Sequence, residues 1–272
     1  MQEGVDVEHV VMDGCSNDET SQVLESLSGD SRLRWASEPD AGQSDALNKA
    51  FLISTGDWIG WLNADEFYLP GTLASVANCI AKNPTADVIY GDFIEVDADG
   101  RLGRLVAEHE FSEKALQSLC YIASCTTFIR RDAIPARLWD IQCKSMMDWD
   151  LFLELSRAGK KFTHLRRPLA AFRVHADQVT SSSVAQSPEE FSLIRERHGI
   201  PTDASAVRTV KLVGRAAHIT RKINECGYIR EARASRLKGR SLRWFDEVDT
   251  EALRSLGATS ALTTPLIRRS LP

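Results

Sequence analysis

The 272-residue sequence lacks any run of about 18 uncharged apolar residues, so nothing in it reads as a membrane-spanning helix. Its start carries neither a basic segment nor an apolar stretch of the secretory kind, and the expectation is a chain that is neither exported by a signal peptide nor membrane-spanning. The six cysteines (Cys15, Cys79, Cys120, Cys125, Cys143, Cys226) include no C-x-x-C pair and no dense framework. That spacing suggests no zinc site and favours free thiols in a reducing cytoplasm. Positive charge is not in excess: 33 Lys and Arg against 38 Asp and Glu give −5 and a pI of about 5.7, which argues against nucleic acid as a partner.

The mean charge hides a split. Between Val207 and Arg243 stand eleven Lys and Arg against two acids, Glu225 and Glu231, so this stretch is +9 and the remainder −14. The two regions are expected to face different partners.

What is present is alternation. Val7 to Met12 is a β-rich run ending at Asp13-Gly14, and only six residues precede it. A helix to about Leu27, a strand over Leu33 to Ala36, a helix from Asp45 to Ile53 capped by Ser44, and an apolar run Trp58 to Leu62 follow. That run reads as a central strand buried on both faces. A helix from Thr72 to Ala81 comes next, then a strand at Val88 to Tyr90 and a hairpin over Phe93 to Val106 turning at Asp99-Gly100. Further on lie a strand at Thr126 to Ile129, a helix from Asp148 to Ala158 and a strand from Leu169 to Val174. Strand and helix in alternation predict an α/β fold with a mostly parallel sheet. After Ser181-Ser182-Ser183 the pattern turns helical, which divides the chain into an α/β domain over 1–182 and a basic helical extension over 183–272.

In open α/β sheets ligands gather at the carboxyl ends of strands, and two such ends are acidic: Asp13 and Asn63 to Glu66. Asp65 suits a hard divalent cation, Mn²⁺ or Mg²⁺, which takes one or two carboxylates and completes its shell with phosphate oxygens and water. A cap on the turn to Pro70 explains it equally well on spacing alone. Asp97-Ala98-Asp99 sits at the hairpin tip, where Asp and Gly serve the turn. Asp148 and Asp150 fall in the first turn of a helix, where a capping role competes with a chemical one. His175 follows a strand, and both a ligand role and a solvated one fit it.

Three segments occur in order: Asp13-Gly14-Cys15-Ser16-Asn17-Asp18-Glu19-Thr20, Glu38-Pro39-Asp40-Ala41-Gly42-Gln43-Ser44-Asp45-Ala46-Leu47-Asn48-Lys49 and Trp61-Leu62-Asn63-Ala64-Asp65-Glu66. Together they closely resemble the family 2 inverting glycosyltransferases of the GT-A fold. The likeness continues through Tyr90-Gly91-Asp92, Cys125 to Arg131, Met147 to Leu151 and Phe172 to His175, and so covers about residues 5 to 182.

The resemblance implies a GT-A sheet lacking its first strand, since the family's usual opening strand and nucleotide-base segment would lie upstream of Val7. It implies Asp13 in the nucleotide pocket, Gln43, Ser44 and Asp45 near the donor, and Asp65 on the cation at the diphosphate. Asn63 stands where many members have another Asp, which weakens that outer contact. Asp148 matches the general base, and His175 falls where some members place a further metal or diphosphate ligand. The implied function is metal-dependent transfer of a sugar from a nucleotide-sugar donor to a saccharide or lipid-linked saccharide acceptor, in surface polysaccharide or glycoconjugate synthesis. The other reading is a truncated, non-catalytic domain that binds carbohydrate or a partner enzyme. A sugar-phosphate nucleotidyltransferase would need a glycine-rich phosphate loop that the sequence does not contain. In the extension, Arg208, Lys211, Arg215, His218 and Lys222 recur at helical spacing and read as one basic stripe, with Val207, Val210, Val213 and Ala217 on another face. Such a stripe suits peripheral contact with the inner membrane surface, or a solvated or packed helix.

Overall fold

The computed structural model describes residues 4–175 and 187–240. The expected boundary near residue 182 and the chain beyond 240 lie outside them. A first layer is the parallel pair β1 (His9–Asp13) and β2 (Leu33–Ser37), linked by α1 (Thr20–Ser26). Next come α2 (Gln43–Ile53), β3 (Trp58–Gly60), β4 (Phe67–Tyr68), α3 (Thr72–Lys82), β5 (Val88–Val96), β6 (Leu102–Val106), α4 (Glu113–Leu116) and β7 (Phe128–Arg130). Then follow α5 (Met147–Arg157), β8 (Phe162–Arg173), α6 (Pro188–Arg197), α7 (Ala204–Asn224) and α8 (Gly227–Ala234).

The second sheet has six strands in the order β3-β7-β5-β8-β4, with β6 also on β5. Its spine is β5. Along one edge its first half pairs with β7 and its second half with β6, while β8 runs parallel along the other edge. The α/β class is as expected, but this sheet is mixed: four of its five strand pairings are antiparallel. Parallel neighbours need a crossover of a dozen residues or more, which the chain between β5 and β8 supplies. The β5–β6 connection is a hairpin whose Gly100 has φ +75°, held by the Asp97 carboxylate accepting from Asp99 N at 3.0 Å and Arg101 N at 2.8 Å. Asp97 is therefore a turn residue.

Trp58 to Leu62 forms only a three-residue strand, which pairs with β7 alone. It ends the sheet instead of centring it, so the apolar run reflects packing of Trp61 beneath it. Trp61 is buried edge-on against Trp139 at 5.4 Å and beside Phe152. Gly91 in β5 is required by close approach, since a Cβ there would lie 2.6 Å from the Leu169 side chain.

The helices after residue 187 pack onto this body. Gly214 of α7 lies so close to Ser118 that a side chain would collide, and the buried Asp92 of β5 is paired by Arg230 of α8 and by His164 of β8 at 3.1 Å. The expected basic stripe is not one surface. Lys222 is buried and paired with Glu231 at 2.6 Å, and His218 turns in to His109 at 2.9 Å. Arg208 and Arg215 stay exposed, and the outward ridge of α7 is apolar, with Leu212, Ile219 and Ile223 exposed at spacings of seven and four. The inward face carries Val207, Val210, Gly214 and Ala217, because the small residues allow close contact with α4.

Candidate active site

Asp13 ends β1, and its carboxylate accepts from Ser16 Oγ at 2.5 Å and Ser37 Oγ at 2.6 Å. These hydroxyls hold it below the usual carboxylate range, so it is a fixed anion at the strand end.

At the start of α2 the side chain of Gln43 donates from Nε2 to Asn63 Oδ1, bringing these two expected donor residues together. The other two turn elsewhere. Ser44 lies within the first turn, the cap position being Gly42. Its hydroxyl is buried against Cys143 O at 3.1 Å and the Met147 sulfur at 3.0 Å. Asp45 accepts from Ala41 N at 3.0 Å and pairs with Lys49 at 3.4 Å. Both serve local structure here: Ser44 ties α2 to the start of α5, and Asp45 closes the loop before α2.

Beyond β3 the chain turns at 63–66, with Asn63 N donating to Glu66 Oε2 at 2.8 Å. Asp65 meets His175, from the end of β8, at 2.9 Å between Oδ2 and Nε2. Glu66, absent from the sequence expectation, is buried, and its Oε1 has no hydrogen-bond partner among the described residues. Burial, with the charges of Asp65 and Asp148 added, pushes its carboxyl up to about 7. Its only sequence signal was its place in the acidic strand-end segment.

Asp148 stands in the first turn of α5, where Trp149 N donates to its Oδ1 at 2.7 Å. That turn is clamped from α6, whose Glu190 carboxylate accepts from Ser145 N at 3.0 Å and Met146 N at 2.7 Å. A helix start normally favours an ionised carboxylate, yet burial outweighs this and raises Asp148 to about 6. Two residues on, Asp150 is used differently. Burial opposes its charge, but His198 at 2.7 Å and Arg137 and Arg197, each at 2.8 Å, more than offset that and hold it low. One short motif thus holds a desolvated carboxylate that has no ion-pair partner among the described residues beside a structural ion-pair hub. Cys125 shows that the parts converge: its buried thiol is raised by burial and then by the charges of Glu66, Asp148 and Asp65.

Asp148 and Cys125 also line a cavity of about 550 Å³ reaching Glu108 and, across it, His218 and Lys222 of α7. Glu108 is a second buried carboxyl not foreseen in the sequence, and burial raises it to about 8.

The residues at Asp65 fit a divalent cation on one geometric point. Two neighbouring ligands of an octahedral ion with bonds of about 2.1 Å lie about 3 Å apart, and the Asp65 and His175 atoms are already 2.9 Å from one another.

The sequence model of "Glycosyl transferase family 2" matches residues 1–140, about half of the chain. The chain belongs to glycosyl transferase family 2. Among curated proteins similar to this chain, a "PGL/p-HBAD biosynthesis glycosyltransferase" of Mycobacterium tuberculosis is 36% identical over 149 residues, covering 53% of this chain and 56% of that protein. The "Chondroitin synthase" of Pasteurella multocida is 26% identical over 198 residues, 71% of this chain and 20% of the synthase. The chain therefore spans between a fifth and somewhat over half of these relatives. The family fold is matched in solved structures: TarS 1–349 of S. aureus, in complex with UDP-GlcNAc, superposes with a TM-score of 0.61 at 18% identity, covering 82% of this chain and 66% of that one. The described residues include no helix long and apolar enough to cross a membrane.

Proposed function

We propose that this chain carries the catalytic site of an inverting, divalent-cation-dependent glycosyltransferase that moves a sugar from a nucleoside-diphosphate donor to an acceptor hydroxyl. The observation that carries the reading is the pair of unlike acidic sites around Cys125: Asp65 with His175, and the lone desolvated Asp148. Family membership and the UDP-GlcNAc bound by the TarS structure support a nucleotide-sugar donor.

Asp65 and His175 would hold the cation, Mn²⁺ or Mg²⁺. A cation there offsets the negative charge that builds on the departing nucleoside diphosphate. Asp13 at the end of β1, Gln43 at the start of α2 and Asn63 in the turn beyond β3 would orient the donor. Asp148 accepts the proton of the acceptor hydroxyl as its oxygen attacks the anomeric carbon. The bond from that carbon to the diphosphate breaks on the opposite face, the diphosphate leaves with the electron pair, and configuration inverts. One base suffices, and the scaffold supplies the alignment that a two-substrate transfer needs.

The named relatives support a place in polysaccharide or glycoconjugate synthesis; the acceptor in this reading is a saccharide or lipid-linked saccharide, met in the cytoplasm. The apolar ridge of α7, flanked by Arg208 and Arg215, supports peripheral contact with an anionic inner-membrane face.

The reading is tested by titrating the full chain with UDP-, GDP- and dTDP-sugars, with and without Mn²⁺, and following nucleotide release. Cation-dependent binding and turnover of one donor are expected; binding of none overturns the proposal.

A further inference from the structure

The cavity that begins at Asp148 ends in polar groups that the donor chemistry does not use. Glu108 follows β6 and lines this cavity. It is 3% exposed, and its Oε2 has no hydrogen-bond partner among the described residues. Leaving such an atom unpaired is destabilising, so its retention needs a reason. Lys222 is near enough to favour its charge, but that ammonium is held by Glu231 at 2.6 Å.

His218 of α7 adds a second polar group with a defined role. His109 Nδ1 lies 2.7 Å from the Glu110 carbonyl, which can only accept, so His109 carries its proton on Nδ1. Its Nε2 must then accept from His218 Nδ1 at 2.9 Å. In the neutral ring His218 Nε2 keeps a lone pair, and burial keeps both rings neutral by lowering their pKa values, that of His109 to about 4. The two histidines satisfy one another and need no metal, although Glu108, His109 and His218 are close enough to suggest one.

Aromatic side chains line the same cavity: Phe93 stands edge-on to Phe172 at 6.2 Å, and Trp149 stacks on Phe191 at 5.1 Å. A purely aliphatic ligand would leave Glu108 as unpaired as before. A sugar ring offers both an apolar face for the rings and hydroxyls for the polar end. The volume, about 550 Å³, is in the range of small-molecule sites.

We propose that this cavity is the acceptor subsite for a saccharide unit, in which Glu108 and His218 bind hydroxyl groups remote from the one presented to Asp148. The inference rests on the glycosyltransferase reading and makes α7 part of acceptor recognition. A neutral Glu108 carboxyl both donates and accepts a hydrogen bond, as a sugar hydroxyl does, and the lone pair on His218 accepts one.

The test uses the full chain, saturated with UDP and Mn²⁺, and a panel of p-nitrophenyl glycosides as probes, with equilibrium binding read by calorimetry. The wild type is expected to bind at least one glycoside. Glu108→Leu should weaken that binding about 5- to 10-fold, the size of one lost hydrogen bond, while Glu108→Gln, which keeps a donor and an acceptor, stays within about twofold. UDP affinity should be the same in all three. No glycoside bound by the wild type, or equal binding by Glu108→Leu, overturns the inference. Should Glu108→Leu fail to fold, His218→Ala replaces it with the same two outcomes. Absence of UDP binding by the wild type strikes the donor reading instead, so the two failures are distinguishable.

Discussion

Asp65 Oδ2 and His175 Nε2 stand 2.9 Å apart although 110 residues separate them. The contact exists because β8 runs along the β4 edge, with Phe67 opposite Ala171, and so delivers its end to the loop that carries Asp65.

That contact predicts a graded loss of cation-linked donor binding. Asp65→Ala should make UDP affinity indifferent to Mn²⁺. His175→Ala should weaken the Mn²⁺-dependent part by about tenfold or more, as when a ligand or its orienting partner is lost. Calorimetric titration of UDP with and without Mn²⁺ checks both. An unchanged Mn²⁺ effect in both variants rejects the assignment.

Asp148→Asn should leave donor affinity intact and lower transfer about 10²- to 10⁴-fold, the usual worth of a positioned base. The base must be ionised to act, and Asp148 titrates at about 6. Transfer by the wild type should therefore fall about tenfold per pH unit below 6 and level off above it. A flat profile between pH 5 and 7 under chemistry-limited conditions speaks against Asp148 as the base.

Part of the candidate site was legible through the family resemblance, which put Asp65 and His175 on one cation, and the fold does bring these two together; residue type and spacing alone left Asp65 and Asp148 open to capping roles. The elements α3, α5 and the hairpin at Gly100 were readable, each having a clean period or turn signal. What could not be read depended on partners distant in sequence. Ser44 looked like a helix cap, but its hydroxyl goes to Cys143 and Met147 about a hundred residues later. Glu66 and Glu108 gave no sign that burial would lift their carboxyls. The basic residues of α7 looked like one stripe, yet Lys222 found Glu231 and His218 found His109, both on other elements.

Asp150 and Asp148 separate by experiment. Removing Asp150 takes from Arg137, Arg197 and His198 their most buried acceptor and leaves Asp140 and Glu154 to pair the two guanidiniums, a loss of about 1.5–3 kcal/mol, the worth of a charged hydrogen bond. Asp150→Ala should therefore lower the denaturant midpoint, whereas Asp148→Asn, whose carboxyl has no ion-pair partner among the described residues, should leave it nearly unchanged. Equal losses in urea melts reject this division of roles.

Glu108 links the cavity to stability. Its carboxyl rises from an unfolded value of 4.5 to about 8 on folding, so between these pH values the native chain keeps a proton that the unfolded chain has released. The native state then binds more protons, and this contribution to stability, fully present below about pH 4.5, is lost as pH rises through 8. Glu66 and Asp148 act in the same sense, while His109 and His218, held neutral, act in the opposite one. Comparing thermal melts of wild type and Glu108→Gln across pH 5 to 9 isolates the single group. The wild type should lose stability relative to the variant as pH rises, and parallel curves contradict the placement of a buried, proton-holding Glu108.

The outer face of α7 yields the last prediction. Leu212 is 72% exposed and Ile223 60%, with Ile219 between them and Arg208 and Arg215 along one flank. Exposed side chains of this size cost solubility unless something covers them, and a ridge beside fixed cations suits an anionic bilayer better than a neutral one. Binding to vesicles should then need both parts. Flotation with vesicles containing phosphatidylglycerol should recover the chain, vesicles of phosphatidylcholine alone should recover little, and raised salt should weaken the first. Leu212→Glu with Ile219→Glu should abolish recovery without changing UDP affinity, since both side chains are exposed on α7 and neither belongs to the donor residues. Arg208→Glu with Arg215→Glu should reduce it by removing the attraction while leaving the ridge. Recovery that ignores the ridge variants, or that is equal on neutral vesicles, shows that this face does not meet lipid.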